Sequence, residues 1–330
     1  MQLVNGMGSL SSGHYTNYPP VNQLCFALAA VGSGKSIFGS VVILRILIIG
    51  FDLGIYFYGR KLLQALKIPE NRIFFYFLNP LVITELTGNL HFEGAMIFFL
   101  VLALYQLHIG KFVWAAVFIS LSISIKLIPL MLLPLFIKYL GFKRAMRFFM
   151  MVGVMTLASF LPFFSVSFLN NYMSTIALWF INFEFNASIY YIIRSIGYYT
   201  AGYNIIHITG RVIPLILMAI ILFISFKKQN STLKSLITNM LIVLSIFFFL
   251  STTIHPWYII SLVMLSVFTH WKFPLVWSFT IILSYFAYSN PVFQENHLIL
   301  IAEYALVYGY LFSEVLAEKN RKPALDAHHF

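Results

Sequence analysis

The chain has 330 residues, 60% of them hydrophobic and 18% aromatic, and only 9% carry a charge (21 Lys and Arg, 10 Asp and Glu). A soluble domain carries roughly a quarter charged residues, so with a mean hydropathy of +0.88 a soluble globular enzyme is excluded. A net charge of +11 would suit a nucleic-acid surface, but the placement of the cations gives it another meaning.

In chain order, residues 1–36 read as the remnant of an external loop with an interfacial segment, because Gly6 to Pro20 is rich in Gly, Ser, Tyr and Pro. Apolar stretches follow at 37–58, 73–88, 92–109, 112–125, 127–142, 146–165, 205–226, 235–254, 256–270, 273–289 and 298–317. An upright membrane helix needs about 20 residues, and these runs are continuous where barrel strands would alternate. The expected fold is therefore all-α: a polytopic transmembrane helical bundle of about eleven spans. Residues 37–318 form its transmembrane domain, with a long external loop at 166–204 and a cytoplasmic tail at 319–330.

The cations orient this bundle. Arg60, Lys61, Lys67 and Arg72, then Lys111, then Lys138, Lys143, Arg144 and Arg147, then Lys227, Lys228 and Lys234, then Lys272, and finally Lys319, Arg321 and Lys322 all fall in alternate gaps. By the positive-inside rule these gaps, which hold 16 of the 21 cations, are cytoplasmic, and little charge is left over for a nucleic-acid partner. The opposite face collects Glu85, Asn89, His91, Glu93, Lys126, Glu184, Arg194, His207, Arg211, His255, Trp257, Tyr258, Glu295 and His297. With this topology the first span runs from outside to inside, so residues 1–36 lie outside without a signal peptide. The expectation is that an upstream span and part of the first external loop are missing from the chain.

Three constellations carry chemistry. The first is Asn79-Pro80, Glu85 and the run GNLHFEGAM from Gly88 to Met96. Ionisable groups in a membrane are costly unless paired or facing a watery cavity, so Glu85, Asn89, His91 and Glu93 mark a candidate site. The plainer reading has Asn89 and His91 capping a helix and Glu93 complementing its dipole. The second is Lys126 in SIKLIPLMLLP, placed against the positive-inside trend; it suits a phosphate counter-ion, or else a lysine that snorkels from a helix end. The third is HPWY, His255 to Tyr258, where His255 adds a titratable donor and Trp257 can either stack on a sugar or belong to an interfacial aromatic belt.

Weaker signals remain. FEFNASIYYIIRSIG reads as an amphipathic interfacial segment in which Glu184, Asn186, Tyr190, Tyr191 and Arg194 are polar, and Asn186-Ala187-Ser188 matches a glycosylation sequon. Arg45 and Asp52 share one face of the first span and pair with structural neighbours. Gly34-Lys35-Ser36 echoes a P-loop end, but Ala29 stands where the first glycine belongs, which discards nucleotide binding. A single cysteine, Cys25, forms no internal disulfide, and no His spacing reads as a ligand set, so no divalent metal is indicated.

The order NYPP (Asn17 to Pro20), Asn79-Pro80 with His91 and Glu93 downstream, Lys126-x-x-Pro129 and HPWY resembles the GT-C superfamily of integral-membrane glycosyltransferases. Within it the chain is most similar to bacterial polyprenol-phosphate-mannose-dependent mannosyltransferases, and more distantly to GPI mannosyltransferase I. The resemblance implies a polyprenyl-phosphate sugar donor, no separate cofactor, a glycan or glycolipid acceptor and inverting transfer on the non-cytoplasmic face. It also implies a multi-pass protein of the bacterial inner membrane, or of the endoplasmic reticulum membrane in a eukaryote. That superfamily places its catalytic acid in the first external loop, whereas here no Asp or Glu precedes Asp52. Glu93, with His91 and Glu85, is then the catalytic candidate. Lys126, His255, Tyr258, Trp257, Arg194 and Asn89 are the candidates for donor phosphate or sugar, with Arg211 as a further phosphate ligand. The competing class is a transporter or flippase, for which polar groups near the bilayer midplane and paired repeats with broken helices are expected.

Overall fold

A computed structural model describes residues 12–34, 36–226, 231–290 and 293–326. Part of the Gly6–Pro20 segment, Lys35, Lys227 and Lys228 lie outside the described residues. The architecture is all-helical, and among the described residues the nearest thing to a strand is an isolated bridge between Phe185 and Thr253.

The first helix, α1 (Pro20–Gly32), begins on Pro20, whose fixed φ suits a first helical turn. The second, α2 (Ile37–Ala65), starts where the Ser36 side chain accepts from the Gly39 backbone N–H. The chain then returns through short pieces, Glu70–Ile73, Phe74–Phe77, Pro80–Val82 and a π-turn at Ile83–Gly88. Asn79 caps Pro80–Val82 by accepting from the Leu81 N–H, and donates to Ser278 Oγ at 2.7 Å. Arg60 bonding Glu70, Tyr76 donating to Asp52 at 3.3 Å and Arg45 donating to the Thr87 carbonyl at 2.8 Å show that this segment runs back along α2.

Leu90, at φ 62, then turns the chain. A branched residue in the left-handed region is held there by its surroundings at a cost of about 1–3 kcal/mol. Next come α3 (Glu93–His108), packed on α2 through Phe51 against Phe98 and Tyr58 against Tyr105, and α4 (Phe112–Ile125), antiparallel to it with Ser122 donating to the Met96 carbonyl. The start of α3 and the end of α4 therefore meet, bringing residues 93 and 126 together.

Beyond α4, Pro129 and Pro134 keep Ile128–Leu135 in tight 3₁₀ turns, since proline removes a helical donor and clashes with the preceding turn. After a short turn of helix at Phe136–Leu140, the longer α-helices that remain are α5 (Phe142–Phe160), α6 (Val166–Ile181), α7 (Ile189–Ala201), α8 (Ile206–Phe226), α9 (Leu233–Leu250), α10 (Ile259–Val267), α11 (Phe273–Thr280) and α12 (His297–Asp326). A capping box of Thr232 and Ser235 starts α9.

Five helices among the described residues are long and apolar enough to cross a bilayer, or six if Pro80–Gly88 and Glu93–His108, bent by 112°, form one broken span. The expected count of eleven is not confirmed. Each apolar stretch is helical, but Pro80, Pro129 and Pro134 divide two of them into short pieces, and others, such as Phe112–Ile125, are too short to span upright. The segment 166–204, read as a loop, holds α6 and α7. Outward-facing apolar side chains on the long helices, among them Phe38, Leu53, Met150, Leu157, Leu215 and Phe223, are those of an integral membrane protein, because water would not tolerate so much contiguous apolar surface. Inside, Tyr76, Phe136, Phe148, Phe248 and Trp277 are fully buried, with Trp277 stacked on Phe249 at 4.7 Å.

Candidate functional site

The π-turn, the start of α3, the end of α4 and the HPWY turn converge at one end of the bundle. Glu85, on the π-turn, is 0% exposed. Its Oε1 accepts from Tyr285 at 2.6 Å and its Oε2 from Asn89 at 3.2 Å, with His91 Nε2 3.4 Å away. Two donors, with the His91 ring close by, thus satisfy a carboxylate that would otherwise be prohibitively costly to bury. Tyr285, 200 positions from Glu85, carried no sequence signal of its own.

His91 is held a second way. Its ring stacks on one face of Trp257 at 3.8 Å, and His255 stacks on the other at 4.4 Å. Both faces of the indole are taken by imidazoles, so Trp257 presents no open face to a sugar. Burial holds the His91 imidazole down to about 4, with the Glu93 charge opposing this and the Lys126 charge reinforcing it. Burial, with the charges of Lys126 and His91, holds His255 down to about 3. At neutral pH both rings are neutral, which removes the repulsion two imidazolium ions would otherwise suffer across one indole.

Glu93 is 2% exposed and bonds the ammonium of Lys126. Lys126 also lies over the Tyr258 ring, 4.8 Å from its centroid, a contact that favours a desolvated cation. No side chain caps α3, whose N-cap is Phe92, so the capping reading of Asn89 and His91 gives way to the hydrogen bond and stacking just described. Lys126 does not snorkel to the surface; its side chain is 17% exposed and paired.

Other candidates are committed elsewhere. Arg194 pairs with Glu184 and lies over Tyr191. Glu184 also accepts from Tyr190 and Asn204, so the guanidinium serves the 183–204 segment. Arg45 donates to the carbonyls of Thr87 and Gly88, and Asp52 accepts from Tyr76, both structural partners. Asn186 is buried, donating its amide to Glu303 while Tyr304 donates to its carbonyl; a buried, bonded side chain is not an open glycosylation acceptor. Among the described residues no three His, Cys, Asp or Glu side chains group as metal ligands.

Beside Lys126 opens a cavity of about 460 Å³. Its walls are mainly apolar: Ile128, Met131 and Pro134 of the 3₁₀ run, Ile213, Leu217 and Ile221 of α8, and Phe247 and Leu250 of α9. Along α8 it reaches from Gly210 to Leu222, about 18 Å at 1.5 Å per residue. Asn17, Tyr18 and Pro19 of the NYPP run, together with Tyr258, lie at the Lys126 end. Lys126 is the one charged side chain among the described lining residues.

Residues 4–141 match the family model described as alpha-(1->6)-mannopyranosyltransferase, N-terminal domain. The matched stretch, under half of the chain, contains Glu85, Asn89, His91, Glu93 and Lys126 and stops before HPWY. It supports a mannose-transferring glycosyltransferase. No curated protein and no solved structure matches the chain.

Proposed function

We propose that this chain is a membrane glycosyltransferase that moves a sugar, mannose in the simplest case, from a polyprenyl-phosphate donor to a glycan or glycolipid acceptor on the non-cytoplasmic face. The observation that carries this reading is a long apolar cavity with a single cation at one end and a buried carboxylate on that cation. A lipid tail fits the apolar walls, and its phosphate falls at Lys126.

The chemistry needs few groups. The acceptor oxygen attacks the anomeric carbon from the face opposite the phosphate, the carbon–oxygen bond to phosphate breaks, and its electron pair leaves with the phosphate. The acceptor proton passes to Glu93, Lys126 offsets the charge growing on the leaving phosphate, and one displacement inverts the anomeric configuration. Glu85 and Trp257 hold His91 beside this point, where a neutral imidazole positions the acceptor. His255 and Tyr258 complete the wall behind Lys126.

The test is transfer itself. Purified full-length protein in liposomes, given radiolabelled polyprenyl-phosphate mannose and a panel of glycan and glycolipid acceptors, should label an acceptor. A second reading, a transporter or flippase, draws on the 112° break between Pro80–Gly88 and α3. Uptake or flipping of the lipid in sealed vesicles, with no transfer from any lipid-linked sugar, would overturn the transferase in its favour.

A further inference from the structure

Lys126 belongs to two sites at once. Its ammonium bonds Glu93 inside the bundle, and the same side chain is the charged group of the lipid-sized cavity. An ammonium has three donors but one position, and an anion arriving through the cavity competes with Glu93 for it. While Glu93 holds Lys126, a carboxylate oxygen is occupied by the ammonium and closed to an acceptor hydroxyl. Tyr258, under the ammonium at 4.8 Å, keeps a cationic seat for Lys126 when Glu93 lets go.

We propose that the Glu93–Lys126 pair is an exchangeable latch: a lipid phosphate entering the cavity takes Lys126 and releases Glu93 to meet the acceptor. The inference rests on the transferase reading for its purpose, but the exchange is a binding event that stands without turnover. Donor then binds before acceptor, and the base is engaged elsewhere until a leaving group is in place. Glu85, whose two oxygens are held by Tyr285, Asn89 and His91, has no cavity-facing cation to exchange and takes no part.

Removing the competitor should strengthen lipid binding even as it removes the base. The full chain in phosphatidylcholine nanodiscs is titrated with a long-chain polyprenyl phosphate. Glu93→Gln should bind it at least about tenfold more tightly than the unsubstituted protein, about 1.4 kcal/mol, while Lys126→Gln should lose most of the affinity. Unchanged or weaker binding by a Glu93→Gln variant that elutes as a folded monodisperse protein overturns the latch. The unsubstituted protein gives an independent check: adding polyprenyl phosphate should change the carboxylate stretching band in the infrared difference spectrum, and a spectrum with no carboxylate change overturns it equally. Inorganic phosphate at the same concentration should produce neither effect; if it matches the lipid, the lipid assignment is wrong. Exchange without sugar transfer would leave the latch standing and remove the transferase, and transfer with unchanged lipid affinity in Glu93→Gln would do the reverse.

Discussion

Glu85 offers a test of the site's architecture that needs no substrate. Its carboxylate is fully buried and has Tyr285, Asn89 and His91 gathered around its two oxygens. Glu85→Ala leaves those groups facing a hole, and each buried donor left without its acceptor costs about 1–3 kcal/mol. Glu85→Gln is different in kind. A hydroxyl can accept as well as donate, so the new amide can donate to Tyr285 while its oxygen keeps Asn89, and the loss should stay below about 1.5 kcal/mol, one ordinary hydrogen bond. Equilibrium unfolding in mixed micelles, followed by tryptophan fluorescence, resolves the two because Trp257 is packed between His91 and His255. Ala and Gln variants of equal stability, or an Ala variant within about 1 kcal/mol of the unsubstituted protein, would refute this account of how Glu85 is held.

Three further outcomes follow from the same geometry. Gly54→Ala should destabilise by about 1–3 kcal/mol, since a Cβ there would press into the Phe98 ring; Phe98→Ala in the same chain should recover part of the loss in the same unfolding assay. His91 and His255 are held down to about 4 and about 3 by burial, against 6.5 for a free imidazole. The unfolded chain therefore takes up protons below 6.5 that the folded chain refuses, and stability should fall as pH drops from 6.5 towards 4 by about 1.4 kcal/mol per unit for each ring; nitrogen-15 histidine spectra showing either ring charged at pH 6 would contradict this. Asn186 is buried and bonded to Glu303, so expression in a secretory host should add no carbohydrate there, as intact-mass measurement before and after glycosidase treatment would show.

What the sequence made legible was local. Glu85, Asn89, His91 and Glu93 are close neighbours in the chain, and membrane cost alone singles them out. Lys126 stood out because its sign opposed the trend, and HPWY because proline and histidine interrupt an apolar run. Pairing was not legible. Glu93 reaches Lys126 across 33 positions and Glu85 reaches Tyr285 across 200; the α3–α4 hairpin makes the first pair, and the 273–289 stretch packed on the Pro80–Val82 segment, with Asn79 on Ser278, makes the second. The segment 166–204 looked like a loop because Asn, Glu and Tyr break its apolar pattern, yet those polar groups bond among themselves: Tyr190, Asn204 and Arg194 on Glu184, and Asn186 on Glu303. The same bonds withdrew Arg194 from the phosphate candidates. The count of eleven spans is not confirmed, because hydropathy reads apolar content and is blind to where a helix stops, as at Pro129 and Pro134.

The two buried carboxylates of the site should separate by function. Glu85 is held by two neutral donors, Asn89 after the π-turn and Tyr285 of the 281–289 segment, with neutral His91 beside them, an arrangement that fixes a structure and offers nothing to exchange. Glu93 is held by one cation that also faces a cavity, an arrangement that can be undone by an anion. Chemistry therefore belongs with Glu93 and architecture with Glu85. Glu93→Gln should leave the unfolding transition within about 3 kcal/mol of the unsubstituted protein, because the amide oxygen still accepts from Lys126, while lowering turnover at least about a hundredfold, the contribution expected of a positioned base. Glu85→Gln should keep both folding and most of the turnover. If the two substitutions were reversed in effect, with Glu85→Gln abolishing transfer and Glu93→Gln sparing it, the proton would have to travel through His91 to Glu85, and Lys126 with Glu93 would be a structural pair.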